Sequence, residues 1–510
     1  MMTSKRHPIF PALLPVLFLA TCLPGAWAQE DPESEQAPAA EEADGDTSIS
    51  HHRILLGGEW IDYTAEAGTL TLKDEDGGEK AHIFYVAYTR DDVKEVNARP
   101  LTFTFNGGPG SSSVWLHLGA FGPRRVKMGA EGFPLAPPAQ LVDNDFSLLD
   151  VTDLVFIDPV TTGYSRAAKG EDPQQFHGVD EDVEVVGEFI RRYTTRTRRW
   201  SSPKYLCGES YGTTRAAGLA KHLQQRHGMY LNGIVLVSSI LEFQTARFDV
   251  GNDLPFVLFL PTYAATAWYH GQLGEEFAEI DPLLREVESF ALGEYATALL
   301  RGNQLTDSER RAIADRLARY TGLSVEYILS TNLRINISRF VKELRRDERI
   351  TVGRLDSRFT GIDLDAAGDG YEFDPSYAAI QGPYTSALND YLRRELEYEN
   401  ELTYEILSGR VHPWSYDRAK NQYLNVAEGL RGAMARNQDL RVFVACGYYD
   451  LATPYFATHY TFDHLAMDPG YAERVTTTHY EAGHMMYIHL GQGTQLKADL
   501  AGFYAAGEER

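Results

Sequence analysis

A serine in a predicted strand-to-helix turn is the residue whose surroundings most clearly predict chemistry. Ser210 lies in the run Gly208-Glu209-Ser210-Tyr211-Gly212, between strand-like residues 204–207 and helix-like residues 213–220. A sharp strand–turn–helix connection exposes a serine hydroxyl for attack on a carbonyl carbon, and the flanking glycines leave room for the neighbouring strand and helix. The sequence therefore predicts Ser210 as a nucleophile.

A serine nucleophile needs a base and an acidic group that orients the base. Asp450 follows the strand-like run 440–447, and His484 follows a second run, 474–480. Both lie just past the carboxyl end of a predicted strand, where ligands bind in open α/β sheets. We expect His484 to take the proton of Ser210 and Asp450 to hold the imidazole in the required tautomer.

Two other histidines are alternatives to His484 as the base. His479 falls inside the predicted strand, and His489 falls inside the helix-like run that follows. A loop position at the end of a strand favours His484 over both, because catalytic residues are concentrated on loops that a rigid scaffold positions.

A glycine-rich loop after an early strand predicts a pocket for the oxyanion of a tetrahedral intermediate. Strand-like residues 100–105 end in Asn106-Gly107-Gly108-Pro109-Gly110. Two backbone N–H groups must point at the developing negative charge. We predict those of Tyr211, which follows the nucleophile, and of Gly108, with Gly107 as the alternative to Gly108.

These segments occur in the order and at the spacing of a known family. The glycine-rich loop (106–113), residues 156–165, the serine turn (208–212), Asp450 and the run Gly483-His484-Met485 together resemble the serine carboxypeptidase family, from about residue 100 to the end. The resemblance implies an α/β-hydrolase fold. It also implies an enzyme that removes residues from the free C-terminus of peptides, usually best at acidic pH.

The resemblance further implies a site for the terminal carboxylate of the substrate. In the family an asparagine, here Asn106, and the glutamate before the nucleophile, here Glu209, bind that carboxylate, and we place Gly107 beside them. Two carboxylates this close cannot both stay ionised, so Glu209 binds the substrate only when one of the two is protonated. This is a physical reason for activity at low pH.

One departure from the family keeps other functions open. Relatives commonly carry a second glutamate that partners the first, and Ala120 stands in its place here. An esterase or acyltransferase on the same scaffold is therefore the alternative to a carboxypeptidase. A binding protein that kept the fold without catalysis is a third class, which the intact serine, acid and histidine argue against.

The elements that must position these residues alternate between strands and helices. This alternation predicts a doubly wound, mostly parallel α/β sheet. Short alternating runs separated by glycine turns precede it and predict antiparallel hairpins. The runs in question are 54–56, 60–63, 69–72 and 82–88 for the hairpins, then 153–158 and 233–238 for strands and 178–199 for a helix.

The pattern changes between the predicted strand 233–238 and the predicted strand 440–447. Residues 242–413 are helix-rich and full of aromatic side chains, which predicts a cap inserted over the carboxyl ends of the strands. The hydrolase core is then expected in two parts, 51–241 and 414–510.

The N-terminus predicts export. A basic start, an apolar stretch at 13–23 and the site Ala26-Trp27-Ala28 are typical of a signal peptide, residues 1–28, cut before Gln29. The run Leu19-Ala20-Thr21-Cys22 leaves a lipoprotein signal as the alternative. Residues 29–50, acidic and rich in small residues, predict a disordered leader. The mature protein is expected to be secreted or periplasmic.

Charge and composition limit the partners. A formal charge of −24 over 510 residues argues against nucleic acid and anionic membranes. No later stretch reaches about 18 apolar residues, so we expect no stable membrane insertion. Cys207 and Cys446 should lie two strands apart, too far for a disulfide. No zinc or phosphate-loop pattern occurs, so no metal or cofactor is expected, and peptide or protein C-termini remain as the expected partners; the oligomeric state is not predicted.

Overall fold

The computed structural model describes residues 47–508. The predicted signal peptide and the predicted leader up to residue 46 lie outside the described residues. Residues 47–50, which the prediction placed in the leader, belong instead to the first strand, where Thr47 to Ser50 pair with Gly68 to Ala65. Alternation of Ile49 with small polar residues suits an antiparallel edge strand despite the acidic sequence before it.

The strands of the described part are β1 (Thr47–Leu56), β2 (Glu59–Lys73), β3 (Glu79–Arg90), β4 (Leu101–Phe105), β5 (Arg124–Val126), β6 (Leu141–Asp143), β7 (Asp153–Ile157), β8 (Arg166–Ala167), β9 (Lys204–Ser210), β10 (Gly233–Ser239), β11 (Thr351–Val352), β12 (Thr360–Gly361), β13 (Arg441–Gly447) and β14 (Val475–Tyr480).

The α-helices of the same part are α1 (Val179–Arg196), α2 (Tyr211–His227), α3 (Leu254–Tyr269), α4 (Ile280–Phe290), α5 (Ala296–Arg301), α6 (Asp307–Thr321), α7 (Val325–Ser330), α8 (Ile337–Glu343), α9 (Pro375–Arg394), α10 (Ala427–Arg436), α11 (Tyr455–Asp463), α12 (Pro469–Ala472) and α13 (Leu490–Glu508). A π-helical turn, Leu116–Phe121, follows the glycine-rich loop.

One large sheet carries the residues of interest. Its strand order is β1-β2-β3-β7-β4-β9-β10-β13-β14, with β8 paired to β3. The strands β7, β4, β9, β10, β13 and β14 pair in parallel, whereas β1, β2, β3 and β7 pair antiparallel. The predicted fold class, a mostly parallel doubly wound sheet with N-terminal antiparallel hairpins, is confirmed.

The N-terminal hairpins are longer than the sequence predicts. The runs 60–63 and 69–72 belong to the single strand β2, which pairs with β3 along most of its length. Glu66-Ala67-Gly68 was interpreted as a turn, but Gly68 lies opposite Thr47 and Tyr85 in the ladder. A glycine inside a strand allows another backbone or side chain to approach closely, so it does not by itself end the strand.

Helices cover both faces of the sheet. Ile234 and Leu236 of β10 pack into a core with α1, α2 and α10, and the alternate residues Val235 and Val237 pack into a second core with α9 and α13. This alternation follows from the period of two in a strand, and apolar residues on both faces are typical of a parallel sheet that is buried on both sides.

Residues 242–413 hold mainly helices. Helices α3 to α8 contribute to an apolar cluster of their own, which also includes Val352 and Leu451. Helix α9 differs, because its buried residues belong to the second core of the sheet. Within residues 47–508, no helix has both the length and the apolar character that crossing a membrane requires.

The two cysteines of the described part are free and buried. Cys207 lies on β9 and Cys446 on β13, with β10 between these strands. The prediction that they do not form a disulfide is confirmed.

Candidate active site

Ser210 occupies the sharp turn that the sequence predicts. It ends β9 directly before α2 begins at Tyr211, and its backbone angles are φ 60° and ψ −130°. This region is sparsely populated by residues with a Cβ and stores strain, as at the nucleophile of a strand–turn–helix connection. A Cβ at Gly208 would lie 2.2 Å from the carbonyl oxygen of Gly212, so the turn closes only with glycine there.

His484 and Asp450 form a buried hydrogen-bonded pair. The distance from His484 Nδ1 to Asp450 Oδ2 is 2.7 Å. Asp450 also accepts hydrogen bonds from the backbone N–H groups of Ala452 and Thr453 and from the Thr453 hydroxyl, at 2.6–3.0 Å. These donors hold the carboxylate in place, and its bond to Nδ1 leaves Nε2 of the imidazole for another partner.

The pKa of His484 reflects opposing effects. Burial lowers it, but the charge and hydrogen bond of Asp450, together with the charge of Glu209, outweigh burial and raise the pKa above its usual value. An imidazole whose protonated form is stabilised in this way accepts a proton more readily from a weak acid such as a serine hydroxyl.

The alternative histidines are bound elsewhere. His479 Nε2 lies 2.8 Å from His459 Nε2, and burial lowers the pKa of His479 to about 4. His489 Nε2 lies 2.9 Å from Glu131 Oε2. His489 also precedes α13 rather than lying inside it, so the prediction of its place in the helix is wrong by one residue.

The glycine-rich loop packs against the first residue of α2. A Cβ at Gly107 would lie 2.3 Å from the backbone nitrogen of Tyr211, which shows how closely the two predicted oxyanion segments approach. Gly108 follows with φ 104° and lines the same cavity as Ser210. The arrangement places the loop and the start of α2 side by side, as an oxyanion pocket requires.

A buried arginine that the sequence analysis did not single out supports this loop. Arg215, on α2, donates to the carbonyl oxygen of Asn106 at 2.6 Å and to Asp182 Oδ2 on α1 at 2.7 Å. Its guanidinium also lies over the rings of Phe105 and Tyr211. Only spatial proximity identifies this role, because a single arginine in a helical pattern carries no local signal.

Glu209 is buried beside the nucleophile. Burial raises its pKa to about 7, against the opposing effects of His484 and of the hydrogen bond from Tyr487. The Tyr487 hydroxyl donates to Glu209 Oε2 at 2.5 Å. A buried carboxyl with a raised pKa is protonated over much of the acidic range and can then donate a hydrogen bond.

Asn106 lies on the other side of Glu209. Its Oδ1 accepts from the backbone N–H of Leu116 at 3.0 Å, which fixes the orientation of the amide. Its side chain is near enough to lower the pKa of Glu209, but Nδ2 is buried without a hydrogen bond of full geometry. An amide donor held this way is available to a ligand in the cavity.

Tyr487 partners Glu209 from a part of the chain that the sequence analysis did not consider. Ala120, at the place of the family's second glutamate, is buried in the π-helical turn. A Cβ on the adjacent Gly119 would lie 2.6 Å from the ring of Tyr487. A phenol from the turn after His484 therefore reaches the glutamate that precedes the nucleophile.

The predicted residues open into one cavity of about 540 Å³. Asp450 lies behind His484 and is fully buried, and Tyr211 is buried at the start of α2. The far wall comes from the region predicted as a cap. The lining includes Asn106, Gly107, Gly108, Glu209, Ser210 and His484 of the predicted site and, from residues 242–413, Arg354, Leu355, Tyr371, Asp374, Tyr377, Ile380, Leu407 and Ser408.

Residues 354–358, here called the bridging segment, connect this far wall to the loops of Asp450 and His484. The backbone N–H of His484 donates to the carbonyl of Leu355 at 2.7 Å, and that of Gly483 donates to Asp356 Oδ2 at 3.1 Å. The backbone N–H of Leu451 donates to the carbonyl of Arg354 at 3.1 Å. One short segment thus binds both catalytic loops.

In the described part of the chain, no group of three or more His, Cys, Asp or Glu side chains has the arrangement of a metal site. The cavity itself offers a candidate nucleophile, a base with an orienting acid, backbone donors and a protonatable carboxyl group.

Comparison with known proteins agrees with this geometry. Residues 59–273 match the family model of serine carboxypeptidases, a region that includes the glycine-rich loop and Ser210 but ends before Asp450 and His484. Serine carboxypeptidase-like 19 of Arabidopsis thaliana is 27% identical over 170 residues, which is 32% of this chain and 33% of that protein.

A yeast protein gives a second match. Pheromone-processing carboxypeptidase KEX1 of Saccharomyces cerevisiae is 34% identical over 156 residues, 28% of this chain and 20% of that protein. The chain thus spans a third or less of the length of these curated relatives.

Structural similarity to a known protein extends over more of this chain than the sequence similarities do. The crystal structure of the prohormone-processing carboxypeptidase KEX1 from Saccharomyces cerevisiae aligns with a TM-score of 0.54 at 16% identity, covering 86% of this chain and 91% of that chain. This likeness shows an α/β-hydrolase fold. With the family match over residues 59–273, the resemblance inferred from the motifs is confirmed for that part of the chain.

Proposed function

We propose that this protein is a serine carboxypeptidase that hydrolyses the C-terminal peptide bond of peptides or proteins through an acyl-enzyme. One observation carries the proposal: the strained Ser210 and the buried, protonatable Glu209 are consecutive residues that open into the cavity of His484. A nucleophile and a carboxylate-binding group one residue apart place the bond to be cleaved next to a free C-terminus.

The first half of the reaction acylates the serine. Ser210 Oγ attacks the scissile carbonyl carbon while His484 Nε2 takes its proton, and Asp450 stabilises the imidazolium through Nδ1. The carbonyl oxygen becomes an oxyanion that the N–H groups of Gly108 and Tyr211 bind. His484 then gives the proton to the leaving nitrogen, the C–N bond breaks, and the terminal amino acid departs.

The second half restores the enzyme. A water molecule attacks the acyl carbon, and His484 takes the proton that the water loses. The ester bond to Ser210 Oγ breaks, the serine recovers its proton from His484, and the shortened peptide leaves with a new carboxylate.

Asn106, Gly107 and Glu209 bind the terminal carboxylate of the substrate in this proposal. Nδ2 of Asn106, which makes no well-formed hydrogen bond within residues 47–508, supplies one donor. Glu209 supplies another while it is protonated, which its pKa of about 7 allows below neutrality. An ionised Glu209 repels the substrate carboxylate, which supports activity below rather than above about pH 7, down to the pH at which His484 becomes protonated.

The proposal is tested by labelling and by trimming of peptides. The wild-type protein should react with a fluorophosphonate probe and release single amino acids from peptides with a free C-terminus. Ser210→Ala should abolish labelling and lower the rate of release by at least about 10³-fold. Ser330→Ala, which changes an exposed serine on α7, is the matched control. Full release by Ser210→Ala would refute the mechanism.

An esterase or acyltransferase on the same scaffold is the second candidate, and Ala120 is the observation that favours it. A carboxypeptidase should lose most of its rate when the terminal carboxylate of the peptide is converted to an amide. Faster turnover of the amide, or of an ester without a carboxylate, would favour the second candidate.

We also propose that the protein is exported, with cleavage after Ala28. The support is the basic, apolar and small-residue pattern of residues 1–28. N-terminal sequencing of the protein recovered outside the cytoplasm should begin at Gln29.

A further inference from the structure

The wall of the cavity carries a positive charge whose guanidinium is not hydrogen-bonded to any residue in the range 47–508. Arg354 is half-buried and lines the cavity that contains Ser210, Glu209 and His484. Among the described residues 47–508, its guanidinium makes no hydrogen bond, ion pair or ring contact, although its backbone N–H and carbonyl are both bound. A guanidinium carries five donors in a fixed planar fork, so this group has unused binding capacity.

The acidic residues of the cavity do not satisfy this charge. Asp374, the nearest carboxylate in sequence, accepts from the backbone N–H groups of Arg354 and Leu355 and from both the N–H and the hydroxyl of Ser376. Its oxygens are thereby engaged at the start of α9. Glu209, the other carboxyl group of the lining, is bound to Tyr487.

The backbone of Arg354 is held from two sides. Its N–H donates to Asp374 Oδ1 at 3.0 Å, and its carbonyl accepts from the N–H of Leu451 at 3.1 Å. Leu451 follows Asp450, so the Cα of Arg354 is fixed relative to the catalytic acid. The charge also reaches the catalytic base, because Arg354 acts to lower the pKa of His484. A charged side chain whose backbone is held near the base is positioned to meet a substrate.

We propose that Arg354 is an anion-binding residue of the substrate pocket, which binds a carboxylate of the peptide substrate. Arginine binds carboxylates with two parallel N–H···O bonds, and the charge of arginine is present at every working pH. The carboxylate comes from one of two sources, the side chain of an acidic residue next to the scissile bond or the C-terminus itself. The inference rests on the proposed carboxypeptidase function and names its preferred substrates.

Glu209 alone does not bind a carboxylate of the substrate at every pH, so a second binding group is useful. That side chain assists a carboxylate only while it is protonated, whereas a guanidinium attracts one in either state of Glu209. A cavity with both groups can accept a peptide that carries a terminal carboxylate and an acidic side chain.

The test uses matched peptides with and without each charge. One pair ends in Glu or Gln, a second pair has Glu or Gln as the penultimate residue, and a third pair has a free or an amidated C-terminus. The proteins are wild type, Arg354→Gln, Arg354→Lys and Arg285→Gln, the last an exposed arginine on α4 as control. The readouts are kcat/KM for each peptide and the rate of fluorophosphonate labelling.

We expect Arg354→Gln to lower kcat/KM for the charged member of one pair by roughly ten- to hundredfold, the usual effect of losing a charged hydrogen-bond partner. The neutral member should change far less than the charged member. Because Arg354 also acts on the pKa of His484, the labelling rate serves to show that the variant is folded and reactive, and the ratio of kcat/KM between the two members of a pair is the readout. A loss confined to acidic side chains identifies the side chain as the ligand. A loss on every free acid, but not on the amide, identifies the terminus.

Two results would overturn the inference. One is an equal change, or no change, across all peptides in Arg354→Gln while labelling is retained. The other is a wild-type protein that labels but does not trim peptides, which overturns the carboxypeptidase proposal as well and is recognised before any variant is compared. If Arg354→Gln does not fold, Arg354→Lys decides, because loss of the planar fork alone should still weaken the same charged peptides.

Discussion

At the scale of single residues, His484 and Glu209 are close enough for the charge of each to change the pKa of the other. Catalysis on a peptide acid needs His484 neutral, to accept a proton, and Glu209 protonated, to bind the carboxylate. In that state the two side chains share one proton, which Glu209 carries. Because the two groups are coupled, they lose their protons in two steps whose apparent pKa values belong to the pair. The active form is therefore populated mainly between these two steps.

A bell-shaped pH profile follows. As pH falls through the raised pKa of His484, the base protonates and kcat/KM should fall; as pH rises through about 7, Glu209 ionises and kcat/KM should fall again. Glu209→Gln should remove the alkaline limb, since an amide donates at any pH, and should not move the acid limb to lower pH, because Glu209 is already uncharged in the active form. Measuring kcat/KM against pH on a peptide acid tests this.

An amidated peptide is the control for the Glu209→Gln experiment. It presents no carboxylate for an ionised Glu209 to repel, so the wild-type profile on the amide should lack the alkaline limb. Retention of that limb in Glu209→Gln would show that another group causes it.

The hydrogen bond from Tyr487 gives a second prediction about Glu209. The phenol donates to the carboxylate at 2.5 Å and so favours its ionised form, which lowers the pKa of Glu209. Tyr487→Phe should therefore raise that pKa and shift the alkaline limb to higher pH. Tyr384→Phe is the matched control, because this neighbouring buried tyrosine makes no hydrogen bond to Glu209 within residues 47–508. A shift to lower pH, or an equal shift in both variants, would contradict this assignment.

At the scale of elements, the bridging segment connects residues 242–413, the predicted cap, to the loops that carry Asp450 and His484. Within it, Arg358 donates to Asp356 at 2.9 and 2.6 Å, and both side chains are almost fully buried. Asp356 also accepts from the N–H of Gly483, next to the catalytic histidine. Loss of this ion pair is therefore expected to affect the position of His484 as well.

Asp356→Asn should lower the free energy of unfolding by about 3–5 kcal/mol, because it leaves the Arg358 charge buried without its partner. Urea denaturation measures the change. Arg345→Gln, which breaks an exposed pair with Glu348, should cost less than about 1 kcal/mol. Similar losses in the two variants would mean that the Asp356–Arg358 pair is no more important than a surface contact.

The elements also show which features of the site the sequence could predict. The sequence predicts Ser210, Asp450 and His484 as the catalytic residues because glycine turns and strand ends are local patterns, and the structure pairs His484 with Asp450. The contact of Tyr487 with Glu209 joins residues 278 apart, and that of Gly483 with Asp356 joins residues 127 apart. No pattern within a short window records such contacts. The same limit made Gly68 look like a turn, since only the pairing partners reveal that β2 continues.

At the scale of the whole molecule, three apolar clusters share residues with the site. Two lie on the faces of the sheet, and the third, formed largely by α3 to α8, includes Leu451 directly after Asp450, the proposed catalytic acid. Packing of α3 to α8 therefore fixes one side of the loop that carries Asp450. The fold depends on these cores, because its described cysteines form no disulfide.

The thiols give a prediction for the whole chain. Burial raises the pKa of Cys446 to about 12 and that of Cys207 well above its usual value, so neither forms a reactive thiolate in the folded protein. Iodoacetamide at neutral pH should leave the native protein unmodified, as measured by intact mass. In denaturant without reductant the chain should gain two adducts if the signal peptide is removed, or three if Cys22 is retained. Modification of the native protein would contradict the burial of both thiols. Fewer than two adducts after denaturation would indicate a disulfide between them. Such a bond would contradict the structure, in which β10 separates β9 from β13.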